Sequence, residues 1–342
     1  MTMPSMKYRI LSKIAALAPV PLTSIIGQNA CILPYYHMVS DQDPMHVRHL
    51  YRYKNVKEFR SDVDFLLRRY RPICLADVLD RVKLGQSLPE QSFLLTFDDG
   101  FREMHEVVAP ILLEKGVSAL FFLNSDFLDN KKLSHEHKAS LLVDHVRRNG
   151  SVALNRQILS ILKDNRMPQG DVVSGLMGIG YHRQELLDDV ANLMGVDFDC
   201  YLRTYKPYLT SVQVRGLLES GFGLGAHSKD HPMYSTLSLE DQVSQTIESV
   251  KAIREAFGLT YGVFAFPYTD ADISRDFFLQ VLRGEVVDLC FGTSGILNDS
   301  FVQMLQRFSL ENPLISAERI LAYQYAKKLG RVLRGCDKIV RN

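Results

Sequence analysis

Two short blocks of this chain carry the residue types needed for metal-assisted hydrolysis. Thr96-Phe97-Asp98-Asp99-Gly100 sets two carboxylates directly after the apolar run Phe93-Leu94-Leu95, a run of the kind that forms a buried strand. His227-Ser228-Lys229-Asp230-His231 offers two imidazoles four residues apart in a turn-like setting. One carboxylate and two histidines make a three-ligand protein set for zinc or a similar divalent ion, with a position left open for water. The adjacent carboxylate is then free to act as a base, which completes the kit for metal-assisted hydrolysis.

Each block alone has a plainer explanation. Asp and Gly after a strand are favoured in capping turns for backbone reasons, and paired loop histidines are commonly surface residues. The two together point further, because both follow apolar strand-like segments and both precede a turn. Residues at the C-terminal ends of neighbouring parallel strands converge on one face, where α/β barrels keep their chemistry.

The surrounding pattern supplies such strands. Ile32–His37, Phe93–Phe97, Val117–Leu123, Tyr261–Phe266 and Val287–Phe291 read as strands. Helical stretches alternate with them: 56–70, then 106–115 stopped by Gly116, and one capped by Ser238 that runs to Phe257 with Gly258 beyond. This alternation predicts a mostly parallel sheet with helical crossovers. Asp99 and His227 lie 128 positions apart (227 minus 99), whereas a strand-helix-strand step needs a few dozen residues. The excess, about 130–210, has helical spacing throughout and reads as a helical insertion beside or over the barrel mouth, either padding or a lid. Gly221-Phe222-Gly223-Leu224-Gly225-Ala226 fits a dinucleotide fingerprint only superficially, since His-Ser-Lys-Asp-His-Pro follows in place of an apolar helix start.

Thr-Phe-Asp-Asp-Gly, His-Ser-x-x-His and the later Phe264-Ala265-Phe266-Pro267-Tyr268 resemble the first three motifs of the polysaccharide deacetylases, the chitooligosaccharide-deacetylase homology domain of carbohydrate esterase family 4. The resemblance spans roughly residues 30–325. It implies a distorted (β/α)7-type barrel that removes acetyl groups from N-acetylated sugars. By motif position it implies Asp98 as base, Asp99, His227 and His231 as metal ligands, and the backbone N–H of Tyr268 as an oxyanion donor. Two departures stand out. The family's late Leu-x-His, source of the general acid, has no counterpart, because no histidine follows Phe291. Tyr35-Tyr36-His37-Met38-Val39 instead resembles the early Tyr-His-x-Val block of the biofilm poly-N-acetylglucosamine deacetylases, which implies His37 as the acid. The arginine that usually orients the base falls at Ala265. Arg307 is a candidate substitute from another strand, although surface exposure is the commoner fate of an arginine. Pro267, Asp270 and Arg307 are candidates for sugar contact; Asp270 and Asp272 are equally well explained as turn residues, and His46 and His49 stand near His37 in sequence without an assigned role.

The expected metal is one divalent ion, zinc first, with cobalt, nickel or iron(II) as alternatives. An O-acetyl carbohydrate esterase and a non-catalytic glycan binder are the competing readings. The 342 residues carry a net charge of +1, so no global field argues for nucleic acid. Five cysteines without paired spacing read as reduced thiols and, with retention of the N-terminus, predict a cytoplasmic protein. Residues 1–30 form an N-terminal segment whose apolar stretch 14–26 is broken by Pro19 and Pro21 and is too short to span a bilayer. Residues 31–325 form the barrel, and 326–342 a basic C-terminal helix or tail. Both ends are candidates for peripheral contact with an anionic membrane face.

Overall fold

The computed structural model describes residues 30–168 and 170–342, so the apolar stretch 14–26, with its suggested membrane contact, lies outside the described residues. Eight parallel strands form one sheet: β1 (Pro34–Tyr36), β2 (Leu95–Phe97), β3 (Ala119–Leu123), β4 (Gly223–Ala226), β5 (Val263–Ala265), β6 (Leu289–Gly292), β7 (Met304–Gln306) and β8 (Phe308–Ser309). From one edge to the other they run β7-β6-β5-β4-β3-β2-β1-β8. The two edges are consecutive stretches of one segment separated by Arg307 alone. Met304 to Gln306 pair with β6 and Phe308 to Ser309 pair with β1, so a single broken strand closes the sheet. This is the expected (β/α)7-type barrel.

Both faces of the strands are buried, which is why they read as unbroken apolar runs. One cluster packs Leu95, Phe97, Phe121, Leu224 and Phe264 against Val63, Leu66, Val250 and Ile253 of the surrounding helices. The alternate residues Leu94, Leu120, Phe122, Val263 and Phe291 pack together inside, with Leu75 and Val78 of helix Leu75–Lys83. Period-2 alternation thus sends Leu94, Thr96 and Asp98 inward. At Gly225 a Cβ would lie 2.6 Å from the Phe122 ring and 2.7 Å from Val263 Cγ2, so only glycine fits that strand position.

Helices form where their signals predict. Asn55 and Glu58 make a capping box on Val56–Arg69. Ser238 caps Leu239–Phe257, which ends at Gly258 with φ of 65°. The helix expected over 106–115 begins instead as a π-helical turn, Met104–Val108, before Ala109–Glu114. Pro110 has no N–H to give to the preceding turn, so the ladder widens there. The insertion contains His135–Asn149, Val152–Asp164, Val172–Met177, Glu185–Met194 and Phe198–Tyr205, with a core of its own around Leu142, Ile158, Leu176, Leu187 and Val190. After helix Ala317–Val332 the tail folds back: Lys338–Ile339 pairs with Asn298–Asp299, and Arg341 is buried between Asp270 and Asp299. Among the described residues no helix is long and apolar enough to cross a membrane.

Candidate active site

The site is assembled from the first residues beyond the strand ends. His37 follows β1, Asp98 follows β2, Asn124 follows β3, His227 follows β4 and Arg307 follows β7. Register does the positioning: Tyr36 pairs with Phe97, and Leu123 with Ala226, so the residues just after them share one rim. Asp99, Ser228, His231 and Tyr268 all have positive φ, between 56° and 71°. Such conformations are costly for non-glycine residues and persist where packing enforces them, often at functional sites.

Asp99, His227 and His231 converge, with one ligand atom from each lying within 4.8 Å of the others. His227 Nε2 is 3.5 Å and His231 Nε2 is 3.4 Å from Asp99 Oδ1. Ligands about 2.0–2.1 Å from a tetrahedral metal are about 3.3–3.4 Å apart, so these spacings suit a zinc-like ion. Asp99 Oδ1 is buried and makes no hydrogen bond, as an oxygen reserved for a cation would be. His227 Nδ1 bonds the Ala265 carbonyl at 2.9 Å, which makes it the donor and leaves the Nε2 lone pair for the metal. Burial lowers the His227 pKa to about 3, keeping the neutral, ligating form. On His231 burial acts downward, but the Glu136 and Asp99 carboxylates prevail and raise its pKa. Asn124 Nδ2 bonds the His227 carbonyl, and Ser228 Oγ accepts from the His231 N–H at 3.0 Å. These bonds hold the His loop to β3 and to its own turn.

Asp98 is 2% exposed and Arg307 0%. The guanidinium donates to both carboxylate oxygens, at 2.7 and 2.9 Å, and also to Thr96 Oγ1 at 3.0 Å and the Gly292 carbonyl at 3.2 Å. Burial by itself would raise the Asp98 pKa, yet Arg307 and the nearby histidines hold it below the usual carboxylate range. Arg307 is therefore a core residue facing Asp98, and its complete burial leaves it no sugar to touch. Its placement between β7 and β8 makes the barrel's closure point also the partner of the candidate base.

His37 keeps about a quarter of its side chain exposed, and its Nδ1 lies 2.6 Å from Glu311 Oε2. Glu311 Oε1 accepts from the backbone N–H groups of His37 and Met38 at 2.9 and 2.8 Å. Burial pulls the His37 pKa down, but Glu311 outweighs it and sets the pKa at about 10. Glu311 thus occupies Nδ1. Tyr268 is 38% exposed, with its ring centroid 4.7 Å from that of His231.

The remaining sequence candidates sit differently. Asp270 is fully buried; it accepts from the Thr293 N–H at 2.8 Å and from Gln306 Nε2 at 2.8 Å, and it pairs with Arg341. It orders the loop that carries Tyr268 and faces no solvent. Pro267 is likewise buried. His46 Nδ1 is 2.8 Å from the Tyr201 hydroxyl, and His49 Nε2 is 3.5 Å from Asp144. Two acidic neighbours escaped notice in the sequence: Glu311, and Glu136, whose Oε2 is 3.0 Å from His231 Nδ1. The cluster His135-Glu136-His137 was a visible signal for the second. An isolated Glu311 offered none.

The family profile described as polysaccharide deacetylase matches residues 85–282, more than half of the chain. Among solved structures the fold is similar to IcaB from Ammonifex degensii, at 15% identity and a TM-score of 0.53 over 87% of this chain and 97% of that one. It is also similar to the deacetylase PplD from Streptococcus pyogenes, solved in complex with acetate, at 14% identity and a TM-score of 0.52 over 85% and 96% of the two chains. At such identities the likeness is one of fold. A search of curated proteins found no match.

Proposed function

The chain belongs to the polysaccharide deacetylase family, and from that premise we propose that it is a metal-dependent hydrolase removing N-acetyl groups from an acetylated glycan or glycoconjugate. The observation that carries this reading is the junction of two sets: the Asp99-His227-His231 triangle and, one residue from Asp99, a buried Asp98 held ionised by Arg307. A divalent ion, zinc first, held by the triangle would activate water and polarise the acetyl carbonyl.

The chain's own groups supply the remaining steps. Asp98 takes the proton of the attacking water, and the Arg307 fork fixes the carboxylate orientation for that transfer. The backbone N–H of Tyr268 donates to the oxyanion as it forms. His37, kept protonated through Nδ1 by Glu311, delivers a proton from Nε2 to the departing nitrogen. The need for such an acid favours N-deacetylation over ester cleavage, because an amine leaves poorly unless protonated whereas an alkoxide depends less on an acid. Arg307 against Asp98 and His37 against Glu311 support the catalytic reading over the non-catalytic glycan binder, because they could stand in for the arginine absent at Ala265 and for the late histidine.

The test is acetate release from a panel of N-acetylated and O-acetylated oligosaccharides, with wild type and Asp98→Asn side by side. Release from N-acetylated members that Asp98→Asn abolishes supports the reading. Release only from O-acetylated members would move the assignment to the esterase. Undiminished turnover by Asp98→Asn would remove Asp98 as the base.

A further inference from the structure

The two histidines of the triangle present the same nitrogen inward but are held from outside by different scaffolds. His227 is held by the barrel, through the Ala265 carbonyl at the end of β5. His231 meets the helical insertion: its Nδ1 lies 3.0 Å from Oε2 of Glu136, the second residue of helix His135–Asn149. At this distance the carboxylate faces the Nδ1 edge of the ring, while Nε2 faces Asp99. The Tyr268 hydroxyl approaches the same carboxylate.

The grip extends to the residue before the ligand. Asp230 receives Lys132 Nζ at 2.7 Å and the Tyr181 hydroxyl at 2.9 Å, both from the insertion. The opposite side of Asp230 is met by Gln245 Nε2 of a barrel helix at 3.0 Å. The start of helix His135–Asn149 is itself fixed, since the Tyr208 hydroxyl accepts from the Ser134 N–H at 3.1 Å and Ser140 Oγ donates to the Met45 carbonyl at 2.6 Å. His231 needs such support because its φ is 62°, in the left-handed region.

We propose that Glu136 is a positioning residue of the metal centre, and that the helical insertion thereby completes the site rather than merely shielding its mouth. The carboxylate fixes the His231 proton on Nδ1 and sets the ring plane so that Nε2 faces Asp99, as partners of metal-ligating imidazoles do. Lys132 and Tyr181 keep Asp230 in place and with it the backbone that delivers His231. The inference rests on the metal reading of the Asp99-His227-His231 triangle, and it names the part of that centre that lies outside the barrel.

The experiment measures the Zn2+ dissociation constant of wild type, Glu136→Gln and Glu136→Ala by competition with a chromophoric chelator. Thermal unfolding of each metal-free protein and the visible spectrum of each Co2+ form are recorded alongside. The expected result is about 10–100-fold weaker Zn2+ binding in both variants, an altered Co2+ spectrum, and folded metal-free protein. Unchanged Zn2+ affinity with an unchanged Co2+ spectrum, in a wild type that binds tightly, overturns the role of Glu136 and leaves the metal reading intact. A wild type that binds neither ion overturns both. Should the Glu136 variants fail to fold, Lys132→Met tests the same coupling through Asp230: weaker Zn2+ binding supports it and wild-type affinity refutes it.

Discussion

Arg307 is the strongest influence holding the Asp98 pKa down, and Glu311 the strongest holding the His37 pKa up. Replacing Arg307 with Met would strand a buried carboxylate. The expected cost is about 3–5 kcal/mol of stability, read by denaturant unfolding, with the acid limb of activity moving to higher pH as the Asp98 pKa rises. A variant as stable as wild type with an unmoved limb would contradict the pairing. Glu311→Gln removes the strongest influence raising the His37 pKa, which stands at about 10. Because His37 must be protonated to act as acid, the alkaline limb of kcat/KM should fall by about 1–3 pH units. A limb that stays in place would rule His37 out. The pair's effect on stability has the same sign: a raised histidine pKa stabilises fully below the ordinary 6.5 and fades as pH climbs through about 10. The residues of the Asp99-His227-His231 cluster were legible in the sequence because residue type and spacing are local properties. Arg307 was a candidate partner for Asp98 only because the resemblance left Ala265 where an arginine belongs, and Glu311 was no candidate at all; the two reach Asp98 and His37 across 209 and 274 positions. Nothing in a linear pattern says that two such residues meet at the same barrel rim.

At the scale of elements, strand and helix alternation was enough to predict a mostly parallel sheet, because apolar runs bounded by caps and glycines are local signals; the barrel followed from the motif resemblance. Ser238 and Gly258 bound their helix as expected. Closure was not legible. Gln306-Arg307-Phe308 shows no interruption in sequence, yet the strand breaks there to reach β6 on one side and β1 on the other. The insertion was recognisable by its length and helical spacing, while its contacts with the His loop depend on docking that no periodicity encodes. Within the barrel, Gly225 is the position where β4 tolerates least. Gly225→Ala places a methyl group 2.6 Å from the Phe122 ring, and overpacking of this kind costs about 1–3 kcal/mol. Loss of stability together with weaker metal binding is expected, because His227 lies two residues further on. A neutral substitution would show that the strands can part there.

Over the whole molecule, the last residues described bear on the loop that carries Tyr268. The C-terminal tail is a latch: Arg341 donates to the Asp270 carbonyl at 2.6 Å and to Asp299 Oδ2 at 2.7 Å. It thereby ties the Tyr268 loop to Gln306, which bonds both aspartates at 2.8 and 3.2 Å. Removing residues 337–342 should leave two buried carboxylates without their cation, lower the unfolding midpoint by several degrees and reduce kcat more than it raises KM. An unchanged midpoint would show that the latch is dispensable. The basic residues preceding it, Arg331 and Arg334 with exposed Leu333 and Val332, remain available to an anionic surface. Flotation with anionic vesicles tests that hypothesis, and failure to float would end it. The proposed chemistry depends throughout on the triangle formed by Asp99, His227 and His231. Elemental analysis of purified wild type beside His227→Ala, after zinc is supplied and the excess removed, tests it most directly. The prediction is about one metal ion per wild-type chain and loss of that ion in the variant; a wild type that retains no metal would contradict it.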